Sequence, residues 1–410
     1  MILWANELIS NGPFFYDGGN TVDEKVYKTI DERIEILKKR NMSIRGNATR
    51  EIKILKENNY YNLINGYKHL FLDYTKMNQN KQSEDIFKNG TKPSELYEIM
   101  QYDNNMRSVF LQYLLYIEEK IKHAIVQAFY EKNSHENLHK EFEYLKAKYY
   151  NISRTYFVTR INKKINHQFT YTSTTNGNPI RTQFVFESEY IYLDREEKHE
   201  TFESNATNAI TDQQNKKDSI KSYKRKHGYV PLWILTNILT LGNISHLFII
   251  LTDDVAFRAM DILGISHSNQ EIDIYNMYRV LGILTLYRNI CAHNDRFICT
   301  SHGIDIDDYF MNFGKALPYY RDPNNRNSKL KKHQRKGRKK CRHGLFSLVF
   351  CISIFLHDSV RKEFVNKIQK ENNKLDNRIH TIDIDIVKKD IGLKLDLLNH
   401  ISFIKTNNIQ

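Results

Sequence analysis

Apolar residues return at intervals of three and four over most of the chain, and those intervals mark where helices run. Val26, Ile30, Ile34 and Leu37 do so inside Asp23–Arg40, with acidic residues at the start and Lys and Arg at the end, as a helix dipole favours. The aromatic-rich stretch from Ile54 to Tyr74 predicts a short helix packed on a core. From Ser94 to Tyr130, the residues Met106, Phe110, Tyr113, Ile117, Ile121, Ala124 and Ala128 keep helical spacing over many turns, which predicts one long helix with a buried face. Asp103 and Arg107, then Glu118 and Lys122, stand four apart on it and read as structural pairs, each worth roughly a few tenths of a kcal/mol.

The pattern lapses between Lys132 and His227, where Lys, Asn and Thr dominate. Inside this stretch, β-formers flank Asn-Gly-Asn-Pro over Phe169–Glu187, the signature of a hairpin. Ser204–His227 reads as a polar surface segment. Apolar order resumes over Gly228–Leu251 as a helical hairpin, with Pro231 at the start of the first helix, a stop at Gly242-Asn243, and Asn243 or Ser245 capping the second. A further helix spans Ile272–Phe297, with Met277, Val280, Leu281, Leu284, Tyr287 and Cys291 on its packed face, and Gly344–His357 predicts a short buried helix. Only 16 Gly and 6 Pro occur in 410 residues, which favours helices over turn-rich sheets. The expectation is a mainly α fold: an N-terminal helical segment (1–55), a helical core in two parts (56–131 and 228–300) around a polar insertion with a β-hairpin (132–227), and a basic C-terminal extension with helices (301–410).

Charge adds a partner class. The formal net charge of +13 attracts polyanions, so nucleic acid or an anionic surface is the natural counterpart. Two clusters concentrate the charge: Lys224, Arg225 and Lys226 within Lys221–His227, and Lys331, Lys332, Arg335, Lys336, Arg338, Lys339, Lys340 and Arg342 within Lys329–His343. Their density suits contacts to a phosphate backbone, and Tyr319 and Tyr320 are candidates for stacking on unpaired bases. The four cysteines form no CxxC pair, which suits a reducing compartment, and Cys341 and His343 with His333 nearby lack the paired spacing of a zinc module. No metal or cofactor is expected. The start of the chain does not read as a signal peptide, and the most apolar stretch, Tyr229–Leu251, is interrupted by Asn237, Gly242, Asn243, Ser245 and His246. A soluble, cytoplasmic protein that does not enter membranes is the expectation.

The helix that closes on "LYRNICAHNDRF" carries the candidate chemistry. Asn289 and His293 lie four apart on one face, and Arg288 lies about 100° away beside Ala292, which leaves room at the helix end. An imidazole exchanges protons near neutral pH, and a guanidinium clamps a phosphate whose charge grows in the transition state. The pairing suits RNA cleavage by internal 2′-OH attack, which needs no metal. An Arg and a His capping a buried helix end is the bland alternative.

Four ordered stretches carry a family resemblance: Asn59–Phe71, Leu96–Ile125, Gly228–Leu247 and Arg288–Phe297. Together they resemble the Abi-like family of bacterial phage-defence proteins (AbiD/AbiF type), built on the HEPN ribonuclease fold. "RNICAH" looks like the family's RNxxAH form of the HEPN signature, intact at Arg288, Asn289, Ala292 and His293. The resemblance implies a HEPN-type helical bundle and a metal-independent endoribonuclease toxin of abortive infection, with two motifs meeting across a dimer. No second Arg-x4-6-His on a comparable helix is found, so a homodimer is implied. Family systems can be paired with an antitoxin, and some members are encoded beside a small noncoding RNA. RNA is therefore the implied partner, as substrate and as regulator. The alternative is a non-catalytic RNA-binding protein that forms a defence ribonucleoprotein. A DNA-binding regulator is weaker, because the hairpin at Val230–Leu251 is too apolar to enter a groove.

Overall fold

The computed structural model describes residues 26–45, 49–79, 84–164, 170–172, 179–181, 185–265, 267, 269, 271–304, 321–322, 325–329 and 343–393. Their fold is mainly helical. Helix α1 (Ile30–Lys39) begins later than its apolar spacing implied, because Thr29 and Glu32 form a reciprocal capping box: Glu32 N donates to Thr29 Oγ1 at 3.3 Å, and Thr29 N donates to Glu32 Oε2 at 2.7 Å. Val26 and Tyr27 stay exposed in front of it. Helix α2 (Thr49–Glu57), a π-helical turn at Tyr61–Asn65, α3 (Gly66–Phe71) and α4 (Tyr74–Gln79) follow.

The centre is α5 (Pro93–Lys132), 40 residues long. Its stripe from Leu96 through Ile99, Met106, Phe110, Ile117 and Ile121 to Ala128 is buried, as its periodicity required. At 1.5 Å per residue it spans about 60 Å, so different helices pack against its two ends.

Within the polar stretch after α5, β1 (Arg154–Lys164) pairs antiparallel with β4 (Val185–Asp194), and β2 (Thr170–Thr172) with β3 (Pro179–Arg181). The latter pair falls inside the segment read as a hairpin, whose residues 173–178 lie outside those described. Ser204–His227 differs from its reading as a plain surface segment. It belongs to α6 (Arg195–Gln213) and α7 (Asp218–His227), which bury Phe202, Ala206, Ile210 and Ile220. The apolar residues are sparse but correctly spaced for a helix that covers one side of its neighbours, and the polar majority hides that stripe.

The apolar hairpin also breaks elsewhere than expected. Helix α8 covers only Leu232–Leu235, and α9 (Leu241–Ile250) starts at Thr240, whose hydroxyl accepts from Asn243 N at 3.3 Å. Gly242 and Asn243 thus lie in the first turn of α9, because a threonine cap directly before an apolar run fixes a start more firmly than a lone glycine fixes a stop. Helix α10 (Asp253–Ile262) leads to α11 (Glu271–Ala292). The short strands β5 (Arg321–Asp322) and β6 (Asn325–Lys329) pair antiparallel. Then α12 (Leu345–Ser353), buried at every position, packs on α11 and α5, followed by α13 (Asp358–Asp376) and α14 (Ile384–Asp390). These last helices share the core of α5. Phe364 lies 5.2 Å from Phe110 edge-on, and Tyr102 Oη donates to Asn372 Oδ1 at 2.6 Å. Among the described residues no helix is long and apolar enough to cross a membrane.

Candidate active site

Helix α11 turns its apolar face inward, and Met277, Val280, Leu281, Leu284, Tyr287 and Cys291 are all buried. It ends sooner than the apolar pattern implied. Asn294 takes a left-handed conformation (φ 61°), His293 N donates to Asn289 O at 2.9 Å, and Asp295 N donates back to Ile290 O at 3.1 Å. Together these close the last turn in a Schellman arrangement, with asparagine in the position glycine usually takes. The closure places His293 at the C-cap, and Asn289, Ala292 and His293 are exposed.

Arg288 is half-buried, with its side chain 30% exposed, and its Nε lies 3.5 Å from Glu118 Oε2 on α5. Glu118 is buried and also accepts from Lys122 Nζ at 2.7 Å, while Lys122 donates to Leu239 O at 2.9 Å. The Glu118–Lys122 pair is therefore more than a helix-surface pair. It is the base on which the Arg288 guanidinium rests, and it ties the segment before α9 to the same point.

The loop after α11 is fixed from α5 as well. Asp103 is almost fully buried and accepts from Phe297 N at 3.1 Å, Ile298 N at 2.6 Å and Tyr67 Oη at 3.0 Å. Burial pushes its carboxyl above the usual aspartate range, against the opposing pull of those backbone donors and of Arg107. Arg107 does not simply pair with Asp103. It donates to Asp295 O at 2.6 Å and to Asn104 Oδ1. Arg296 Nη1 donates to Gly66 O at 3.1 Å. Beneath the loop, Tyr287 Oη donates to Thr300 O at 3.0 Å, and Phe297 sits against Phe110 with ring centroids 4.9 Å apart. The end of α11 is thus held on three sides, while its outer edge stays open.

The thiols nearby are poor nucleophiles. Burial raises both Cys291 and Cys299 to about 12, and both are free, as is Cys351. Among the described residues no group of three or more His, Cys, Asp or Glu side chains is placed to hold a metal ion. His343 packs against His302 with ring centroids 5.9 Å apart, whereas Cys341 and His333 lie outside the described residues.

Of the basic residues read as phosphate contacts, Arg225 and Lys226 are exposed on the last turn of α7. Lys224 is half-buried and already has partners. Its ammonium is 2.8 Å from Glu141 Oε1 and donates to Gln214 Oε1 at 3.2 Å. Lys331, Lys332, Arg335, Lys336, Arg338, Lys339, Lys340 and Arg342 lie outside the described residues, as do Tyr319 and Tyr320. The sequence points to Arg288, Asn289 and His293 but reads Asp103 with Arg107, and Glu118 with Lys122, only as structural pairs within one helix. The available signal was their register: Asp103 and Glu118 fall on or beside the apolar stripe of α5, where a carboxylate needs a specific partner.

No curated protein and no solved structure matches the chain. The family model described as Abi-like protein matches residues 53–299, a span that contains α5, α11 and every residue of the clamp just described except Thr300. The chain belongs to the Abi-like family, proteins of abortive infection in phage defence.

Proposed function

We propose that the protein is a HEPN-type endoribonuclease that acts as a toxin in abortive infection, cleaving RNA without a metal. The observation that supports this reading is the end of α11. Its imidazole and amide face solvent, its guanidinium stands beside them on a buried carboxylate, and the loop beyond is clamped to α5. A site rigid on its inner side and open on its outer side suits a reaction that needs positioned charge and proton transfer. In the proposed step the ribose 2′-oxygen attacks the adjacent phosphorus and loses its proton to one histidine. The 5′-oxygen leaves and takes a proton from another, giving a 2′,3′-cyclic phosphate and a 5′-hydroxyl. Arg288 stabilises the charge on the phosphorane, and Asn289 orients His293 or holds a phosphate oxygen. Two copies of the chain supply both imidazoles, so the active species is a homodimer. A small noncoding RNA or a protein antitoxin restrains the toxin.

The test is His293→Ala in the full chain. RNA cleavage is expected to fall by about 10²–10⁴-fold and growth arrest to disappear, with fold and dimer retained, while cleavage by the parent persists in chelator. A His293→Ala protein of full activity refutes the assignment.

The contact of Arg288 with Glu118 favours a second reading, because a phosphate must compete with that carboxylate. In it the protein is a non-catalytic RNA-binding partner in a defence ribonucleoprotein with a small noncoding RNA. Co-purified RNA that is intact, stoichiometric and still bound by His293→Ala favours this reading. Fragments with cyclic phosphate ends favour the nuclease.

A further inference from the structure

An aromatic cluster lies on the surface where α7 meets α8. Tyr223 sits 4.4 Å from His227 on the last turn of α7, and Trp233 follows on α8 with its ring 6.3 Å from Tyr223 and 5.1 Å from Tyr130 on α5. Beneath them Tyr229 is buried and its hydroxyl is 3.0 Å from His139 Nδ1, while Leu232 N donates to Tyr130 Oη at 3.3 Å. The inner rings are thus satisfied by the protein. The outer ones are not covered: His227 is exposed, Tyr223 is half-buried, and Trp233 keeps 38% of its surface in water. A single exposed aromatic needs no explanation, but here three lie together at the most basic helix end among the described residues.

Charge around the cluster selects the ligand. Lys226 stands on the helical ridge beside Tyr223, and Lys221 and Arg225 extend the charge along the outer side of α7. None of the three forms an ion pair among the described residues. Two carboxylates on neighbouring elements are already taken, Glu131 by Arg258 at 2.7 Å and Glu141 by Lys224 at 2.8 Å, and the one acidic residue of α7, Asp218, stands at its opposite end. Uncovered π-faces next to uncompensated cations suit single-stranded nucleic acid, in which bases stack and phosphates meet ammonium groups. A duplex offers no free base faces to such a surface.

Position connects this surface to the active site. Glu118, Lys122, Val126 and Tyr130 succeed one another at four-residue intervals along one ridge of α5, which winds about 120° around the axis between the residue under Arg288 and the residue under the aromatic cluster. Tyr130 lies roughly 18 Å beyond Glu118 along the axis, a distance that a few nucleotides cover.

We propose that Tyr223, His227, Trp233 and Lys226 form a docking site for unpaired bases of single-stranded RNA, which leads the strand along α5 toward Arg288 and His293. The proposal rests on the ribonuclease reading for its direction but is tested by binding alone. In full-length protein carrying His293→Ala, fluorescence anisotropy is measured with a short labelled oligouridine and with a duplex RNA of equal length. Trp233→Ala is expected to weaken oligouridine binding by about tenfold, while Trp233→Phe retains most of it. Lys226→Glu is expected to weaken binding and flatten its salt dependence. Since Trp4 is the other of the two tryptophans, a Trp4→Phe protein reports on Trp233 alone, and its emission is expected to be quenched by oligouridine. Unchanged emission on saturation, duplex binding as tight as single-strand binding, or parental affinity in Trp233→Ala overturns the docking site. If oligouridine docks as described yet the parent protein cleaves no RNA, the nuclease reading fails and the docking site stands.

Discussion

Replacing Asp103 by alanine tests whether α5 holds the motif-bearing end of α11 through one buried carboxylate. The change strips the acceptor from two backbone N–H groups, those of Phe297 and Ile298, and from the Tyr67 hydroxyl. A buried donor left without a partner costs about 1–3 kcal/mol. Three at the low end, with the rotatable hydroxyl counted least, give a loss of roughly 3–4 kcal/mol. Part of this is offset, because burial raises the Asp103 carboxyl and shows that its charge is itself costly there. Asp103→Asn removes the charge and keeps one oxygen, so its expected loss is smaller, about 1–2 kcal/mol. Urea unfolding followed by circular dichroism gives the totals, with an unchanged slope required for the comparison. Hydrogen exchange gives the location: the amides of Phe297 and Ile298 are expected to lose protection, while those in the middle of α5 keep theirs. Asp103→Ala within about 1 kcal/mol of the parent, with both amides still protected, refutes the clamp.

Two further outcomes follow from the core. Burial, aided by the Lys198 ammonium, lowers His246 on α9 from 6.5 to about 4. The unfolded chain therefore binds the proton more tightly, so the stability this residue contributes is complete above pH 6.5 and is lost as pH falls toward 4. The loss amounts to about 3 kcal/mol, and urea melts across that range should become flatter in His246→Leu; identical pH profiles in the two proteins contradict the assignment. At Gly392 the backbone is left-handed (φ 80°), and an added Cβ would meet Phe346 Cβ at 2.9 Å and Phe346 N at 3.1 Å. Gly392→Ala is expected to cost at least about 2 kcal/mol from strain and overpacking together, and a melting temperature equal to the parent's disproves it.

The family and the position of the motif were legible in the residues themselves. "RNICAH" at the end of an apolar helix, and the long stripe from Leu96 to Ala128, are patterns a few turns in length, and helical periodicity is a local property of the chain. Starts and stops were less legible, because they turn on single caps. Thr29 and Glu32 set the start of α1, Thr240 that of α9, and a left-handed Asn294 the end of α11. The α6–α7 segment escaped reading because its buried positions, Phe202, Ala206, Ile210 and Ile220, are outnumbered by polar ones.

The sequence alone determined which residues carry the candidate chemistry: Arg288, Asn289 and His293, brought to one helix end by 3.6-residue geometry that needs no knowledge of the rest of the fold. Only the tertiary structure decided what holds them. Asp103 meets Phe297 across 194 residues of chain, Glu118 meets Arg288 from another helix, and Lys224 is paired with Glu141 while Lys226 is left open. The physical reason is that an ion pair or a buried hydrogen bond depends on distance in space, and spacing along a chain fixes that distance only within a single element.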